Sequence, residues 1–192
     1  MGFRSFLAKP FASYIARQTK QWSSRPGFYQ QRVFESLING GTATAFGKDH
    51  GLGDIRNHDD FKKQVPIRDY EALKPYVENV LAGQSDVLWK GKPIYFAKTS
   101  GTTSGTKYIP ITRESIPNHI DSARNSLLSY IHETGKASFV DGNLIFLSGS
   151  PELHETAGIK TGRLSGIANH HVPAYLRGNQ KPSYSTNIIE DW

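Results

Sequence analysis

The stretch Thr99-Ser100-Gly101-Thr102-Thr103-Ser104-Gly105-Thr106-Lys107 joins two apolar, strand-like segments, residues 94–97 before it and residues 108–111 after it. Its glycines let the backbone turn so that successive N–H groups point inward. The hydroxyl groups offer further hydrogen bonds, and the lysine adds a compact positive charge. Together these groups predict a loop that binds a polyphosphate.

The spacing of this loop excludes the Walker A motif. That motif needs a glycine, four further residues, and then Gly-Lys-Ser/Thr at the start of a helix. Here three residues separate Gly101 from Gly105, Thr106 precedes Lys107, and Tyr108 follows it. The segment after the loop alternates like a strand, and a proline at position 110 favours the edge of a sheet. The sequence therefore predicts a strand–loop–strand phosphate site and not the loop of a kinase or GTPase.

The composition excludes several classes of protein. The chain of 192 residues is 37% hydrophobic and 21% charged, and it has no cysteine. A chain without cysteine has no disulfide scaffold, thiolate nucleophile or zinc–thiolate site. No apolar run approaches the roughly 18 residues that indicate a membrane span. We therefore expect a globular protein without a membrane span, and the absence of cysteine fits a cytoplasmic location.

The net charge of +6 belongs to the N-terminal segment. Residues 1–34 hold six basic residues and no acidic one, whereas the rest of the chain carries 17 of each sign. Basic charge confined to one terminal segment does not line a groove for nucleic acid, so no nucleic-acid partner is expected. Three interpretations of the segment stay open: a targeting peptide, an amphipathic surface helix, or a helix that docks its aromatic face on the body of this chain or on a missing remainder of the protein. We favour the docking helix.

Apolar periodicity predicts helices over residues 26–41, 59–63 and 75–83, with a separate short turn at Asp69. A longer helix begins at position 112 or 115 and ends before a glycine at position 135; its apolar stripe is Ile116, Ile120, Ala123, Leu127 and Ile131.

The other segments predict strands and loops. A buried strand is predicted over residues 144–147, after a turn at Asp141-Gly142. A hairpin is predicted over residues 158–167, and the chain from Pro173 onward is predicted to be a loop.

Several blocks of the sequence resemble one family of enzymes. The loop is similar to the phosphate-binding signature of the adenylate-forming superfamily. The closer resemblance is to its acyl-acid amido synthetases, the plant auxin-responsive Gretchen Hagen family and bacterial relatives. The further blocks follow one another in the family's order: TAFGKDHG at 44–51, FKKQVPIRDYEALKPY at 61–76, GKPI at 91–94 and GSPEL at 149–153.

The resemblance implies an α/β fold (mixed α+β), the N-terminal part of an adenylating domain in which helices pack on a mixed sheet. Residues 1–192 would be an incomplete domain, with a basic arm and first helix at 1–40 and a body at 41–192 that holds the phosphate loop. The family uses ATP to convert a carboxylic acid to an acyl-adenylate, and an amino acid then forms the amide. Mg²⁺ would accompany ATP, with its protein ligand outside this chain. We accordingly expect a truncated chain that is inactive alone.

The resemblance also assigns site residues. The loop would hold the β- and γ-phosphates through Thr99, Ser100, Gly101, Thr102, Thr103, Ser104, Gly105 and Lys107. Lys107 would act as the catalytic cation, because preorganised donors and a cation stabilise charge that develops on phosphate oxygens. The helix after the loop lines the acyl pocket in the family, so Arg124 is a candidate for binding the acid, although a lone helix arginine is more often solvated.

Two other patterns predict no site. The seven histidines show no ligand spacing, and adjacent His170 and His171 point in different directions on a strand or a helix. We therefore expect no metal held by this chain. The glycines of a nucleophile elbow are missing around Ser148 and Ser150, which argues against a serine hydrolase.

Two alternative functions stay open. One is an acyl- or aryl-CoA ligase of the same superfamily, and the other is a non-catalytic chain that binds phosphate. The blocks outside the loop favour the amido synthetase. The sequence does not specify the acid, the amino acid or the oligomeric state.

Overall fold

The computed structural model describes residues 2–99 and 105–189. The chain divides into two compact units. We call Pro26–Thr112 together with His154–Thr161 the hairpin unit, and Met1–Arg25, Arg113–Leu153 and Gly162–Trp192 the terminal unit. The predicted boundary near residue 40 stays a prediction.

Along the described residues, five α-helices precede the first strand, and strands and helices then follow in mixed order. The α-helices are α1 (Phe3–Ser23), α2 (Pro26–Gly41), α3 (Ala45–Asp49), α4 (His58–Gln64), α5 (Tyr70–Leu81), α6 (Ile116–Thr134), α7 (Leu164–His170), α8 (Ala174–Arg177) and α9 (Tyr184–Asn187). The strands are β1 (Tyr95–Lys98), β2 (Tyr108–Ile111), β3 (Leu144–Ile145), β4 (His154–Thr156), β5 (Ile159–Arg163) and β6 (Gln180–Lys181). Single 3₁₀ turns form at Leu52–Asp54 and Ser138–Asp141.

The hairpin unit contains a four-stranded sheet in the order β2-β1-β5-β4. Strands β1 and β2 are antiparallel, with Tyr95 opposite Ile111 and Lys98 opposite Tyr108. Strands β4 and β5 form a second antiparallel pair. The predicted strand–loop–strand is therefore confirmed, and β2 lies at the edge of the sheet, as the proline at position 110 predicts.

Two apolar clusters stabilise the hairpin unit. The first contains Val80, Val87, Phe96 and Ile159, so that α5 packs against the sheet. The second joins α2 to the segment that follows it and contains Ile38, Leu52 and Ile55, with Phe34, Phe46, Phe61 and Val65 packed around them.

Two of the predicted helix starts in this unit are wrong. Helix α5 begins at Tyr70 and not at Pro75, because the Asp69 side chain accepts the Ala72 N–H at 2.9 Å and caps the helix. This cap and the buried α5 side chains outweigh the backbone hydrogen bond that Pro75 cannot make. Helix α4 begins at His58, one residue before its predicted start, because the Asn57 side chain accepts two N–H groups and caps the helix. Helix α2 is confirmed over its predicted length.

In the terminal unit α1 packs on α6. The shared core consists of Ala12 and Ile15 from α1 and Leu128, Ile131 and Ala137 from α6 and the segment after it. The predicted docking of the N-terminal helix is thus confirmed within this chain, but the face that packs on α6 is not the aromatic one. Docking of the aromatic face on a part of the protein outside this chain stays a prediction. Small residues of α1 allow the helices to approach closely, and the aromatic side chains stay exposed: Phe3, Phe6, Phe11, Tyr14 and Trp22.

Helix α6 is confirmed, with a different buried face. It ends at Gly135, whose φ of 69° gives the left-handed C-cap. Leu128 and Ile131 are buried, whereas Ala123 and Leu127 are exposed. The predicted stripe is therefore offset, because α1 packs on the neighbouring face.

Three predictions for the rest of the chain need correction. The predicted buried strand at 144–147 is a two-residue strand that pairs with β6 in parallel, and its apolar side chains are largely exposed. The predicted hairpin at 158–167 is shifted toward the N-terminus: β4 and β5 form it, and α7 begins at Leu164. The predicted loop after Pro173 contains short elements; α9, for example, is capped by the Ser183 side chain, which accepts the Thr186 N–H at 3.2 Å.

Candidate functional site

The β1–β2 hairpin holds the two ends of the glycine- and hydroxyl-rich loop against each other. The Thr99 N–H donates to the Lys107 carbonyl at 3.1 Å, which extends the hairpin by one residue pair. Five residues of the predicted site lie outside the described residues: Ser100, Gly101, Thr102, Thr103 and Ser104. Of that site the structure describes Thr99, Gly105 and Lys107, and it brings the first and last of them together.

The backbone turns sharply at the C-terminal end of the loop. Gly105 has a φ of 79°, a conformation that strains any side chain-bearing L-residue. Gly105 and Thr106 are exposed, and Lys107 is partly buried. A glycine at this position allows the chain to turn and enter β2 directly after Lys107.

Tyr70 contacts the loop base from the first turn of α5. Its hydroxyl accepts the Tyr108 N–H at 2.9 Å and lies 3.4 Å from the Tyr108 carbonyl oxygen. The Lys107 ammonium lies 5.3 Å from the centre of the Tyr70 ring, which is a cation–π distance. The sequence places Tyr70 within the 61–76 block, but no spacing rule connects residues 37 or 38 positions apart, so the contact was not predicted.

The charge around the hairpin suits a polyphosphate. Residues 87–112 contain no aspartate or glutamate and four basic residues: Lys90, Lys92, Lys98 and Lys107. A segment with this excess of positive charge attracts anions to the loop that it carries.

Arg124 is engaged by residues of its own unit. One guanidinium nitrogen lies 2.9 Å from an Asp121 carboxylate oxygen, and two others donate to the Asn125 side-chain oxygen at 3.0 and 3.1 Å. The guanidinium also lies 5.7 Å from the centre of the Phe11 ring. Arg124 and the loop belong to different compact units, and binding of an acid by Arg124 stays a prediction.

Two of the histidines make contacts with backbone carbonyl groups. His50 and His170 each have a ring nitrogen near a backbone carbonyl oxygen, at 2.8 Å from Phe46 and 2.6 Å from Pro151. Burial, and then the neighbouring His170, lower the pKa of His171. Within residues 2–99 and 105–189, no group of three or more His, Cys, Asp or Glu residues is placed to hold a metal ion. In the same ranges no helix has the length and apolar character needed to cross a bilayer.

Comparison with known proteins identifies relatives in sequence. The chain is 30% identical over 109 residues to the indole-3-acetic acid-amido synthetase GH3.15 of Arabidopsis thaliana. The aligned region covers 55% of this chain and 18% of that protein. It is 32% identical over 104 residues to the 4-substituted benzoates-glutamate ligase GH3.12 of the same plant, covering 53% of this chain and 18% of that protein.

Comparison with solved structures supports the fold. A GH3.15 acyl acid amido synthetase matches with a TM-score of 0.75 at 20% identity, over 94% of this chain and 32% of that chain. An AtGH3.15 acyl acid amido synthetase in complex with 2,4-DB matches with a TM-score of 0.68 at 20% identity, over 79% of this chain and 27% of that chain. The predicted mixed α/β fold is confirmed, and the matches span less than a third of the solved chains.

The family model described as the GH3 family N-terminal domain matches residues 15–188. This match covers most of the chain and includes both strands of the hairpin and the loop between them. The resemblance found in the sequence is therefore confirmed, and the chain belongs to the GH3 family.

Proposed function

We propose that the whole protein is an ATP-dependent acyl-acid amido synthetase. The observation that carries this proposal is the hairpin that holds Thr99 and Lys107 together at the base of the glycine- and hydroxyl-rich loop, in a chain of the GH3 family. In the first half-reaction a carboxylate oxygen attacks the α-phosphorus of ATP, and pyrophosphate leaves. In the second half-reaction an amino acid amine attacks the acyl carbonyl, AMP leaves and an amide forms.

The loop supplies what the first half-reaction needs. Negative charge collects on the β- and γ-phosphates as pyrophosphate leaves, and preorganised N–H and hydroxyl donors stabilise that charge without reorganisation. These donors come from Thr99, Ser100, Gly101, Thr102, Thr103, Ser104 and Gly105. The Lys107 ammonium adds a full positive charge at the loop base, and Mg²⁺ would reach the site with the phosphates of ATP.

The names of the relatives support a proposal for the classes of acid and amine that the protein uses. One relative is named for indole-3-acetic acid, another for 4-substituted benzoates and glutamate, and a solved structure contains 2,4-DB. We propose an aromatic carboxylic acid and an amino acid as substrates here, and a cytoplasmic location, where ATP and amino acids are available. Because the chain covers 18% of those curated relatives, we propose that it does not complete the reaction alone.

The test is pyrophosphate exchange by the whole protein. Labelled pyrophosphate should enter ATP only when a suitable acid from a panel of aromatic and aliphatic carboxylic acids is present, and reactions without acid are the control. If no acid supports exchange, the proposal is wrong.

The acceptor is tested next, with the acid that supports exchange. Mass spectrometry of reactions with a mixture of amino acids should find an amide and AMP. A thioester formed with coenzyme A in place of the amide would instead establish the CoA ligase. ATP binding without exchange for any acid of the panel would instead favour the non-catalytic alternative.

A further inference from the structure

We propose that Tyr70 is a positioning residue that holds Lys107 and the C-terminal end of the loop in the geometry that meets the phosphates of ATP. The inference rests on the proposed function, because it takes Lys107 as the cation of the adenylation site. The Tyr70 side chain lies at a cation–π distance from the Lys107 ammonium and also accepts a hydrogen bond from the Tyr108 backbone N–H beside it.

The first step of the argument is the open edge of β2. The Thr99 N–H donates to the Lys107 carbonyl, so the backbone groups of Lys107 face β1. In an antiparallel pair the backbone groups of successive residues point to opposite sides, so those of Tyr108 point away from β1. Pro110, the next residue that faces outward, has no N–H. The Tyr108 N–H is therefore the donor that β2 presents beside the loop, and the Tyr70 hydroxyl accepts it at 2.9 Å.

The second step is the rigidity of Tyr70 itself. Tyr70 is the first residue of α5, directly after the capping residue Asp69. Val77 and Val80 of the same helix are buried, the latter in the cluster that includes Phe96 of β1. Tyr70 is thus carried by a capped and packed helix, which fixes the hydroxyl and the ring relative to the hairpin.

The third step is the restriction of Lys107. A lysine side chain has four rotatable bonds, and much of its freedom is lost when it takes up one binding geometry. The Tyr70 ring lies 5.3 Å from the ammonium and favours the rotamers in which the charge stays at the loop base. A cation–π contact is weaker than the attraction of a phosphate, so the ammonium can move to the nucleotide without a large cost.

Two substitutions separate the two contacts. Tyr70→Phe keeps the ring and removes the hydroxyl, and Tyr70→Leu removes both. Tyr76→Phe is the matched control, because it removes a tyrosine hydroxyl from the same helix, one that donates to an Asp49 carboxylate oxygen at 2.7 Å.

Exchange kinetics of the whole protein give the first readout. Tyr70→Phe should raise the KM for ATP by about fivefold with little change in kcat, since one hydrogen bond at the loop base is lost. Tyr70→Leu should also lower kcat, and kcat/KM should fall by about 30-fold. Tyr76→Phe should match the wild type. If the wild type is active and both Tyr70 variants behave like Tyr76→Phe, the inference is overturned.

A second readout does not depend on activity. In NMR hydrogen exchange of this chain, Tyr70→Phe should expose the Tyr108 amide to solvent, and Tyr76→Phe should not. In acetylation monitored by mass spectrometry, Tyr70→Leu should speed labelling of Lys107, whereas Tyr70→Phe should not. An unchanged Tyr108 amide together with unchanged Lys107 labelling would overturn the inference even if the wild type supports no exchange, an outcome that would count against the proposed function alone.

Discussion

Two short apolar runs of the chain differ in burial: one is packed in a core and the other is exposed. Residues 94–97 enter the hairpin, where Phe96 is 0% and Ala97 4% exposed. Residues 144–147 are at least as apolar, yet Ile145 is 73% and Leu147 85% exposed. Both runs contain a phenylalanine flanked by aliphatic or aromatic residues, so composition does not explain the difference.

The difference lies in what packs on each run. In the hairpin unit, α5 and the segment after it place Val80 and Val87 against Phe96. In the terminal unit, α1 and α6 bury their apolar residues against each other. Burial of a strand is therefore set by a covering element elsewhere in the chain, and an apolar run by itself predicts a strand more safely than it predicts a core.

The largest effect should come from truncating one residue in each run. Phe96→Ala should lower the free energy of unfolding by about 3–5 kcal/mol, because it leaves a cavity in a packed cluster. Leu147→Ala should change it by less than about 0.5 kcal/mol, because the side chain already lies in water. Urea denaturation of the chain measures both values, and similar costs for the two variants would remove the contrast between the runs.

In both units a glycine lies so close to a backbone carbonyl oxygen that adding a side chain should lower stability. A Cβ at Gly47 would overlap the Gly41 carbonyl oxygen in the hairpin unit, and a Cβ at Gly166 would overlap the Ser150 carbonyl oxygen in the terminal unit. Each Gly→Ala variant should cost about 1–3 kcal/mol of stability by overpacking. Gly27→Ala is the control, because nothing lies within 4 Å of its Cβ position. If all three variants are equally stable, neither unit is packed as described.

A smaller effect should come from the cap of α5. Asp69→Ala removes the acceptor of the Ala72 N–H and should cost about 1 kcal/mol. Asp69→Asn keeps a side-chain acceptor and should recover most of that stability. The cap also orients Tyr70, so the alanine variant should weaken protection of the Tyr108 amide as well. Full protection in Asp69→Ala would show that α5 does not need this cap to hold the loop base.

The smallest expected effects on stability depend on pH. The terminal unit should lose stability in acid, and the hairpin unit should lose stability in alkali. The Ser5 hydroxyl, followed by the Gly2 and Ser5 N–H groups, lowers the pKa of Asp141 in the terminal unit. The stability from these bonds is present above the unfolded pKa of about 3.9 and is lost as the pH falls through the lower folded pKa. Asp141→Asn should abolish this acid-side loss, as measured by urea midpoints across pH.

In the hairpin unit, burial and the hydrogen bond to Asp49 raise the pKa of Tyr76. That contribution is present below the unfolded pKa of about 10 and is lost as the pH rises through the higher folded pKa. Tyr76→Phe should remove the alkaline loss, as measured by urea midpoints across alkaline pH. An unchanged alkaline loss in this variant would contradict the assignment to Tyr76.

The sequence predicted the features that local patterns determine. The hairpin was predictable because alternation, the glycine-rich loop and Pro110 all lie within 20 residues. Helices α2 and α6 were predictable from periodicity and their terminal glycines. The buried face of α6 and the exposed aromatic face of α1 were not, because each depends on which helix packs against it.

The candidate site shows the same division. The loop and Lys107 were predicted as a phosphate site from residue types and spacing, since both lie in one segment, and their role stays a prediction. The Tyr70 contact was missed, because it joins the first turn of α5 to an edge strand 38 residues later. Only the arrangement of α5 on the sheet brings the two together.

Acid-dependent pyrophosphate exchange by the whole protein carrying Lys107→Ala tests the central claim most directly. The control is Lys160→Ala, which removes the same charge from an exposed position of β5 in the same sheet. With an acid that supports exchange in the wild type, Lys107→Ala should lower the rate by about 100-fold while its urea midpoint stays near that of the wild type, and Lys160→Ala should match the wild type. Wild-type exchange in the Lys107→Ala variant would contradict the claim that this hairpin loop binds the phosphates of ATP through Lys107.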